Sequence, residues 1–319
     1  IECVHVLGWQ CVAGKGQFQV GDHCIYMEVD SFLPVCERFE FLRSSSYRKS
    51  ELLGEGFRLK TQKFRGQISQ GLVQPLSILP EGEYELGTDV TEILGIRKWE
   101  IEERVTSSGT VIGDFPFGIT KTDELRVQSY PELIAEFKAV PEYYISTKMD
   151  GTSVTMYWVD GKFGVCGRNY EYEDNDQCAM WKYAHEHKIE AALRENGIPD
   201  VAIQGEFCGA GIQKNRLKLV KPEWYVFTVV DMNTRRRYSL RQMKEFCEKT
   251  GLKMVPVEEI GLEFPYDSIE QLLERAKGKY ASGMNKEGIV IRPTEAVYSK
   301  TIEGPLSMKV LNNDYLLKE

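Results

Sequence analysis

Residues 148–166 read KMDGTSVTMYWVDGKFGVC, and this stretch decides the fold of the second half of the chain. Two apolar runs, residues 153–158 and 163–166, flank the pair Asp160-Gly161. An Asp-Gly pair between such runs predicts a β-hairpin, because both turn positions tolerate positive φ. Just before the hairpin, the tetrapeptide Lys148-Met149-Asp150-Gly151 brings an amine and a carboxylate to the start of a strand.

The composition is that of a globular protein. The chain has 319 residues, 42% of them hydrophobic and 28% charged, which suits one large domain or two of ordinary size. Forty Lys and Arg against 48 Asp and Glu give a net charge of −8, so any contact with nucleic acid must use a local basic groove. None of the eight cysteines forms a C-x2–4-C pair, which favours a reduced intracellular protein over a structural zinc site.

The sequence contains no sign of a membrane segment. No apolar run approaches the roughly 20 residues that span a bilayer, and the first residues lack the pattern of a signal peptide. We therefore expect a soluble protein without a membrane partner. Cysteine usage places it in the cytoplasm or nucleus, and a monomer is expected without a specific sequence signal. The chain opens inside an apolar alternating segment and without Met, so further residues are expected before Ile1.

The first hundred residues contain short β-type runs separated by turn residues, at 4–7, 17–20 and 24–29. This spacing predicts a small β-barrel. Residues 57–65 form a further predicted strand, which carries Arg58 and Lys60, with Lys63 and Arg65 beyond them. Such a charge run is usually a solvated strand face, and its alternative interpretation is a track for nucleic-acid phosphates.

Segment 99–130 is irregular and rich in turn residues. It divides the chain into a first domain at 1–105, a linker at 106–130 and a second domain at 131–319. Helices are predicted in the second domain at about 174–196, 239–250 and 268–279, and the last two begin with capping boxes at Ser239/Gln242 and Ser268/Gln271. Because strands and helices mix without a βαβ alternation, the predicted fold class is α+β.

Several familiar catalytic motifs are missing from the sequence. It has no G-x-x-x-x-G-K-[ST] phosphate loop, no G-x-S-x-G nucleophile elbow and no H-E-x-x-H zinc motif. His185 and His187 lie on different faces of their predicted helix and are interpreted as surface residues. The tetrapeptide at Lys148 remains, but a lone Lys-x-Asp-Gly arises by chance in about one chain in 15 of this length.

Four later segments support a catalytic role for the tetrapeptide. Glu206, Phe227, Glu287 and Lys309 follow it in order, and each lies in or beside an apolar run of strand character. With these residues the sequence resembles the covalent nucleotidyltransferases, the superfamily of ATP-dependent ligases and capping enzymes, whose five collinear motifs are matched between residues 148 and 309. Residues 205–215, GEFCGAGIQKN, are more similar to RNA ligases than to DNA ligases.

The first hundred residues resemble, less specifically, the N-terminal OB module of one RNA ligase family, at residues 21–34 and 65–72. Residues 121–126, KTDELR, are similar to the lead-in of that family. DNA ligases and capping enzymes typically carry an OB domain after the last motif, whereas ten residues follow Lys309 here. The resemblance therefore implies an OB-type β-barrel at 1–105 and an α+β nucleotidyltransferase domain built on antiparallel sheets at 131–319.

The resemblance also implies roles for individual residues. Lys148 would be the nucleophile that forms a lysine-adenylate, and Lys309 would neutralise the α-phosphate and lower the pKa of Lys148. Asp150, Glu206 and Glu287 would hold Mg2+ or Mn2+, with the ribose hydroxyls as an alternative partner of Glu206.

Further contacts follow from the same resemblance. Thr147 and Arg168 would contact ATP, and Phe227 would stack on the adenine, although without the other motifs Phe227 would be interpreted as a core aromatic residue. Five cations are assigned to pyrophosphate or RNA phosphate, with ordinary surface salt bridges as the alternative for the first two: Arg126, Arg292, Lys214, Arg58 and Lys60. The final motif of many relatives is Lys-x-Lys, whereas Lys309-Val310-Leu311 supplies one lysine. The second cation is then either Lys300 or Lys286, or it is dispensable.

The sequence thus predicts an ATP-dependent RNA ligase that joins a 3′-hydroxyl to a 5′-phosphate through lysyl-AMP and RNA-adenylate, in RNA repair. Its co-substrate would be ATP, its metal Mg2+ or Mn2+, and its partner RNA. A DNA ligase or an RNA-capping guanylyltransferase of the same superfamily is the nearest alternative. The alternative from another class is a non-catalytic RNA-binding protein that retains this fold.

Overall fold

The computed structural model describes residues 1–99, 109–121, 123–198 and 200–317. The chain divides into two compact units, Ile1–Glu102 and Glu103–Glu319. The predicted boundary at residues 105 and 106 lies outside the described residues, as does Thr122 of the predicted lead-in. Among the described residues, no helix is both long enough and apolar enough to cross a membrane.

The first unit consists of short antiparallel strands. They are β1 (Glu2–Val6), β2 (Trp9–Ala13), β3 (Cys24–Met27), β4 (Ser31–Pro34), β5 (Tyr47–Ser50), β6 (Gly54–Arg58), β7 (Gln62–Phe64), β8 (Gln67–Ser69), β9 (Leu72–Pro75) and β10 (Arg97–Lys98). One short α-helix, α1 (Arg43–Ser46), and two 3-10 helices, Glu37–Leu42 and Leu76–Ile78, accompany them. The strands pair as β1-β2, β3-β9, β7-β8 and β10-β4-β6-β5, and Leu33, Phe39 and Phe57 are at the centre of the main core.

The predicted strand at residues 17–20 is wrong. Polar side chains turn the backbone there, because Gln17 Oε1 accepts a hydrogen bond from the Gly14 N–H at 3.0 Å and Asp22 Oδ2 accepts one from the Gln19 N–H at 2.7 Å. Such local side-chain bonds compete with a strand ladder. The strand β2, which the sequence analysis did not predict, completes the first hairpin instead.

The predicted strand at residues 57–65 is also wrong as a single strand. Strand β6 ends at Arg58, and β7 begins at Gln62. Between them Leu59 turns into the core, where its side chain is 5% exposed and its N–H donates to the Ser31 carbonyl at 2.9 Å. After Leu59 the chain leaves this pairing, and β7 pairs with β8 instead of β4, so Arg58 and the exposed Lys63 and Arg65 belong to different strand pairs.

The second unit contains two larger sheets and most of the helices. Its strands are β11 (Val111–Asp114), β12 (Tyr143–Lys148), β13 (Thr152–Val159), β14 (Lys162–Cys166), β15 (Tyr170–Tyr172), β16 (Val201–Cys208), β17 (Glu223–Asp231), β18 (Arg236–Arg237), β19 (Lys253–Met254), β20 (Val257–Gly261), β21 (Gly288–Pro293), β22 (Tyr298–Ser299), β23 (Gly304–Pro305) and β24 (Met308–Leu311). Its helices are α2 (Leu133–Lys138), α3 (Ala179–Glu186), α4 (Ile189–Glu195), α5 (Leu240–Thr250), α6 (Ile269–Arg275) and α7 (Asn313–Leu316), with a 3-10 helix at Val127–Ser129.

The large sheet has the order β11-β15-β14-β13-β16-β17-β18, and β19 pairs parallel to β17. The small sheet has the order β20-β12-β21-β24 and is antiparallel. The predicted hairpin forms β13 and β14, and its turn residues Asp160 and Gly161 have φ of 50° and 74°, as a type I′ turn requires. Strand β11, within the segment expected to be a linker, pairs with β15 of the large sheet.

The predicted helix at 174–196 is two helices. Lys188 adopts a left-handed conformation with φ of 50°, which ends the first helix and redirects the chain. Ile189 and Leu193 of α4 can then enter the same core as Met180 of α3. Both His185 and His187 are exposed, as predicted.

The other two helices start where the capping patterns place them. Ser239 and Gln242 form a complete capping box at the start of α5. At α6, Ser268 Oγ accepts from the Gln271 N–H, but the Gln271 side chain accepts from the Asp267 N–H rather than from Ser268. The helix therefore has one half of the predicted box.

The two faces of β12 differ in their surroundings, and Lys148 lies on the face opposite the helices. Tyr143 and Ile145 belong to the core between the small sheet and helices α2 and α6. Successive residues of a strand point to opposite faces, so Ser146 and Lys148 lie on the other side of the sheet. Strand alternation thus turns the amine of Lys148 away from the helices.

Candidate active site

Lys148 and Glu287 form the centre of a cluster of charged residues in the second unit. Lys148 ends β12, and Glu287 immediately precedes β21, in a register that pairs Lys148 with Gly288. Lys148 Nζ lies 2.9 Å from each carboxylate oxygen of Glu287. Their side chains are 22% and 16% exposed, so this ion pair is largely shielded from water.

Tyr280 holds the two strand ends together. Its hydroxyl donates to the Lys148 carbonyl at 2.7 Å and accepts from the Glu287 N–H at 3.0 Å. The backbone is equally tight at two glycines: a Cβ on Gly151 would lie 2.3 Å from the Phe207 carbonyl oxygen, and one on Gly288 would lie 2.2 Å from the Val310 carbonyl oxygen. The glycines of the Lys-x-Asp-Gly and Glu-Gly motifs thus allow strands to approach closely around the amine.

Neighbouring carboxylates keep Lys148 protonated. Burial by itself lowers the pKa of Lys148, but Glu287 and, less strongly, Glu206 outweigh it and raise the pKa above the ordinary lysine value. Burial raises the pKa of Glu206 to about 7, with Lys148 opposing the rise and Glu287 adding to it. Glu206 Oε1 accepts from the Gly151 N–H at 3.1 Å, which fixes this carboxylate beside the motif.

Lys309 is the second cation of the cluster. Burial, followed by the positive charges of Lys148 and Arg126, lowers its pKa to about 8. Its backbone N–H donates to the Leu125 carbonyl at 2.8 Å, and Arg126 forms a parallel bridge with it. These interactions place Lys309, Arg126 and Lys148 close together, as the sequence analysis expected.

Arg168 lies at the exposed edge of the cluster. Its Nη2 contacts both oxygens of Asp123 at 3.2 and 3.3 Å, and both side chains are more than half exposed. Asp123 in turn opposes the fall in the pKa of Lys309. Arg168 therefore belongs to the same region, although its present partner is a carboxylate.

Asp150 differs from the expectation for a metal ligand. Its Oδ1 accepts from the Tyr315 hydroxyl at 3.0 Å, and its Oδ2 lies 3.3 Å from Arg216 Nε. The Arg216 guanidinium is 4% exposed and stacks 4.2 Å from the centre of the Tyr315 ring. The carboxylate of Asp150 is thus contacted by helix α7, through Tyr315, and by the loop after β16, through Arg216.

The donors that fit a divalent cation are therefore Glu206 and Glu287. Among the residues that the structure describes, no three His, Cys, Asp or Glu side chains converge as a metal site. Mg2+ and similar hard cations often use only one or two carboxylates together with water and substrate phosphates. The raised pKa of Glu206 and the pairing of Glu287 with an ammonium group suit that arrangement. Burial and then Glu287 also raise the pKa of Asp150, but its Oδ1 is held by Tyr315 and its Oδ2 lies 3.3 Å from Arg216.

Arg292 is buried within the unit and is not on its surface. It is 8% exposed, Nη1 donates to the Phe227 carbonyl and to Thr228 Oγ1, and Nη2 donates to Glu124. The guanidinium lies 5.9 Å from the centre of the Phe227 ring. These contacts do not support the predicted contact with pyrophosphate or RNA phosphate, because the charge is already paired inside the protein.

Phe227 itself lies on β17 and is partly buried. It packs against a small cluster that contains Met149 and Cys208, next to the nucleophile motif. This position beside the nucleophile motif agrees with the prediction that the Phe227 ring stacks on adenine. Because the ring is partly buried, the alternative interpretation as a core residue is also partly met. The neighbouring Arg292 fixes the backbone that carries the ring.

Thr147 and Lys286 share one carboxylate. Glu258 Oε1 accepts from Thr147 Oγ1 at 2.7 Å, and Lys286 Nζ contacts both Glu258 oxygens at 2.7 and 2.8 Å. Since Lys286 is 5% exposed and paired, it does not supply the missing second cation of the final motif. Lys300 lies exposed in the turn between β22 and β23.

The remaining predicted cations differ in their surroundings. Lys214 is exposed in the loop that follows β16. In the first unit, Arg58 is 15% exposed, contacts Asp30 at 2.7 Å and stacks 5.0 Å from the Trp99 ring. The predicted exposure of this residue is therefore wrong, whereas its contact with RNA phosphate stays a prediction. Lys60 is partly exposed.

Four residues of the cluster were missed by sequence reasoning: Glu124, Arg216, Tyr280 and Tyr315. Each is an ordinary polar residue whose local sequence carries no chemical pattern of its own. Glu124 alone had a signal, because it lies inside the quoted lead-in KTDELR. The others reach the site from distant segments, which only the fold brings together.

Comparisons with known proteins agree with this architecture. An OB-fold domain family matches residues 1–76, and the RNA ligase family matches residues 141–311. No curated protein sequence matches the chain.

Solved structures of an RNA ligase from Naegleria gruberi are similar over almost the whole chain. The complex of that ligase with PPi has a TM-score of 0.89 and 35% identity, and the alignment covers 99% of this chain and 92% of the ligase. A variant with ATP and Mn gives 0.90 and 34%, and a variant with AMP and Mn gives 0.89 and 34%, each with coverage of 99% and 93%. The α+β fold class with an N-terminal OB-fold domain is confirmed. The chain therefore belongs to the RNA ligase family and, as predicted, is an RNA ligase.

Proposed function

We propose that this RNA ligase uses ATP to join RNA 3′-hydroxyl and 5′-phosphate ends, through a lysyl-AMP on Lys148 and an RNA-adenylate, in RNA repair. The observation that carries the proposal is the buried ion pair of Lys148 with both oxygens of Glu287, beside Glu206 and Lys309. A shielded amine among carboxylates and a second lysine suits nucleotidyl transfer better than simple RNA binding, which needs no buried amine.

The chemistry divides into three displacements at phosphorus. The Lys148 amine attacks the α-phosphorus of ATP, so that an N–P bond forms and pyrophosphate leaves with the electrons of the broken P–O bond. An oxygen of the RNA 5′-phosphate then attacks the same phosphorus and releases the lysine. Finally the RNA 3′-hydroxyl attacks the 5′-phosphate, and AMP leaves.

Lys309 and Arg126 are proposed to contact the phosphates. Charge develops on the oxygens of phosphorus during each transfer, and fixed cations in a shielded site stabilise it. Arg168 is proposed to bind ribose or phosphate after it leaves Asp123, since both groups are exposed and the pair is weak. Phe227 is proposed to stack on the adenine, with Thr147 nearby.

Glu206 and Glu287 are the groups that would hold Mg2+ or Mn2+. A divalent ion bound there supplies positive charge next to Lys148 and so favours its neutral, nucleophilic amine. Without that charge, Glu287 stabilises the ammonium form. A metal contact of Asp150 stays a prediction: its Oδ1 accepts from Tyr315, whereas its Oδ2 lies 3.3 Å from Arg216 Nε without a hydrogen bond.

The N-terminal OB-fold domain is proposed to help hold RNA. Among the earlier candidates, the exposed Lys63 and Arg65 are favoured over Arg58, whose charge is paired with Asp30, and Lys60 stays a candidate. The domain limits of 1–105, 106–130 and 131–319, a monomeric state and an intracellular location remain proposals of the same kind. Neutralising Lys60 and Lys63 is expected to weaken RNA joining while leaving adenylation intact, and equal loss of both activities would contradict this assignment.

The test of the main proposal is incubation of the protein with α-labelled ATP and a divalent metal, followed by denaturing electrophoresis. Label on the wild type but not on Lys148→Ala is the expected result. The protein must first be treated with pyrophosphate, so that any AMP already bound is removed. Absence of label with either Mg2+ or Mn2+ would contradict the proposal, and labelling by GTP in preference to ATP would favour a capping enzyme.

A further inference from the structure

Arg292 joins three separate segments of the second unit at one guanidinium. The residue belongs to β21 of the small sheet. Its Nη1 donates to the Phe227 carbonyl and to Thr228 Oγ1 at 3.0 Å, both on β17 of the large sheet. Its Nη2 donates to Glu124, which lies outside both sheets. The planar guanidinium can serve three acceptors only from a fixed direction, so this contact sets the spacing of the segments.

Glu124 belongs to a short segment whose residues contact three side chains or strands of the active-site region: Arg168, Arg292 and Lys309. In this segment, residues 123–126, Asp123 contacts Arg168 and Glu124 contacts Arg292. The Leu125 carbonyl accepts from the Lys309 N–H, and Arg126 forms a parallel bridge with Lys309. A shift of the segment would therefore move the groups proposed to contact phosphate.

The ion pair between Glu124 and Arg292 is almost completely buried. Their side chains are 13% and 10% exposed, and a second guanidinium, that of Arg237, lies near the same carboxylate. Two arginines thus share Glu124. A buried ion pair is a poor source of stability, because desolvation cancels much of the attraction, and an apolar pair of the same size is often as stable. Its advantage over an apolar pair is directional geometry.

We propose that Glu124 is a positioning residue for adenylation: through Arg292 it holds the Phe227 platform, and through its own segment it holds Lys309 and Arg126. The inference rests on the proposed function, since it assumes that ATP binds between Phe227 and Lys309. Glu124 touches neither substrate nor metal in this role. Its removal would leave the reacting groups present but displaced.

The test compares adenylation kinetics with thermal stability in three variants of the full chain. Glu124→Gln is expected to lower Tm and to raise KM for ATP by about 10-fold or more, because a misplaced site loses affinity and rate. The double variant Glu124→Gln, Arg292→Met removes the charge of Arg292 as well and is expected to regain part of the lost Tm but not KM, since Arg237 still lacks the Glu124 carboxylate. Glu124→Asp keeps the charge but shortens the side chain. If Glu124→Gln does not fold, KM for ATP is measured in Glu124→Asp instead, and it is expected to be higher than in the wild type.

Glu171→Gln is the matched control. The Glu171 side chain is also 13% exposed, and within the described part of the chain it accepts from the Tyr157 hydroxyl at 2.6 Å and from Lys162 at 2.8 Å, both on the large sheet and neither assigned a role in adenylation. This variant is expected to lower Tm with no change in KM. The proposal is overturned if the double variant regains wild-type KM together with Tm, or if Glu124→Gln or Glu124→Asp folds and keeps wild-type KM. Failure of the wild type itself to form an adenylate would instead refute the proposed function.

Discussion

Glu287→Gln should change the reactivity of Lys148 and the activity of the enzyme in opposite directions. In the protein without metal or nucleotide, burial lowers the pKa of Lys148. The Glu287 and Glu206 carboxylates raise the pKa by more than burial lowers it. Replacing the Glu287 carboxylate with a neutral amide removes the stronger of the two attractions. We therefore expect the Lys148 amine to lose its proton at a lower pH in the variant than in the wild type.

The size of the change follows from the geometry. Two opposite charges about 4 Å apart attract by roughly 4 kcal/mol at an effective dielectric constant of 20, and about 1.4 kcal/mol corresponds to one pH unit. Lys148 Nζ and the Glu287 oxygens are 2.9 Å apart, and both side chains are less than one-quarter exposed, so screening by water is limited. The midpoint for deprotonation of Lys148 should fall by about 3 pH units. Adenylation should nevertheless fall about 100-fold, because a proposed metal ligand is lost.

The assay is covalent labelling of Lys148 by trinitrobenzenesulfonate as a function of pH, quantified by mass spectrometry of its peptide. The protein is first freed of AMP with pyrophosphate and of metal with a chelator. Glu223→Gln is the control, since Glu223 pairs with Lys253 at 2.8 Å on the large sheet and should leave the labelling of Lys148 unchanged. The same labelling midpoint in Glu287→Gln and in the wild type would refute the claim that Glu287 sets the protonation of Lys148.

Three further predictions follow from single contacts. Burial and then Lys148 lower the pKa of Lys309 to about 8, so Lys309 loses its charge as pH rises. We expect kcat/KM for adenylation to fall above pH 8, and Lys309→Arg to move this fall to higher pH. Identical pH profiles of the two proteins from pH 6 to 10 would contradict this. Tyr280→Phe leaves the Lys148 carbonyl and the Glu287 N–H without their shared hydroxyl, and should lower the free energy of unfolding by about 1–3 kcal/mol in urea denaturation; no loss would mean that water replaces the hydroxyl. Ser239→Ala removes the cap of α5 and should cost about 1 kcal/mol in the same measurement, whereas Ser239→Gly should cost only a few tenths.

Local sequence was sufficient for the features that depend on near neighbours. The hairpin of β13 and β14 follows from Asp160-Gly161, because positive φ at both turn positions is a local property. The start of α5 follows from Ser239 and Gln242 for the same reason. The order of Lys148, Glu206, Phe227, Glu287 and Lys309 was enough to indicate the family, since a collinear set of motifs is readable without coordinates.

Side-chain partners that come from distant segments could not be predicted from local sequence. Arg292 ends an apolar strand and looked available to phosphate, but the fold places Glu124 and the Phe227 carbonyl against it. Asp150 lies two residues from the nucleophile, yet the fold brings the Tyr315 hydroxyl to its Oδ1 and Arg216 to within 3.3 Å of its Oδ2.

The physical reason is the range of the interactions. Turn geometry and helix capping are decided within a few residues, so the sequence by itself determined the hairpin, the starts of α5 and α6 and the identity of the charged groups. A buried charge takes whichever opposite charge the packing of the strands brings near it, because leaving it unpaired costs more free energy than any local preference supplies. Tertiary structure alone therefore decided that Lys148 pairs with Glu287, that Lys286 pairs with Glu258 and that Arg58 pairs with Asp30.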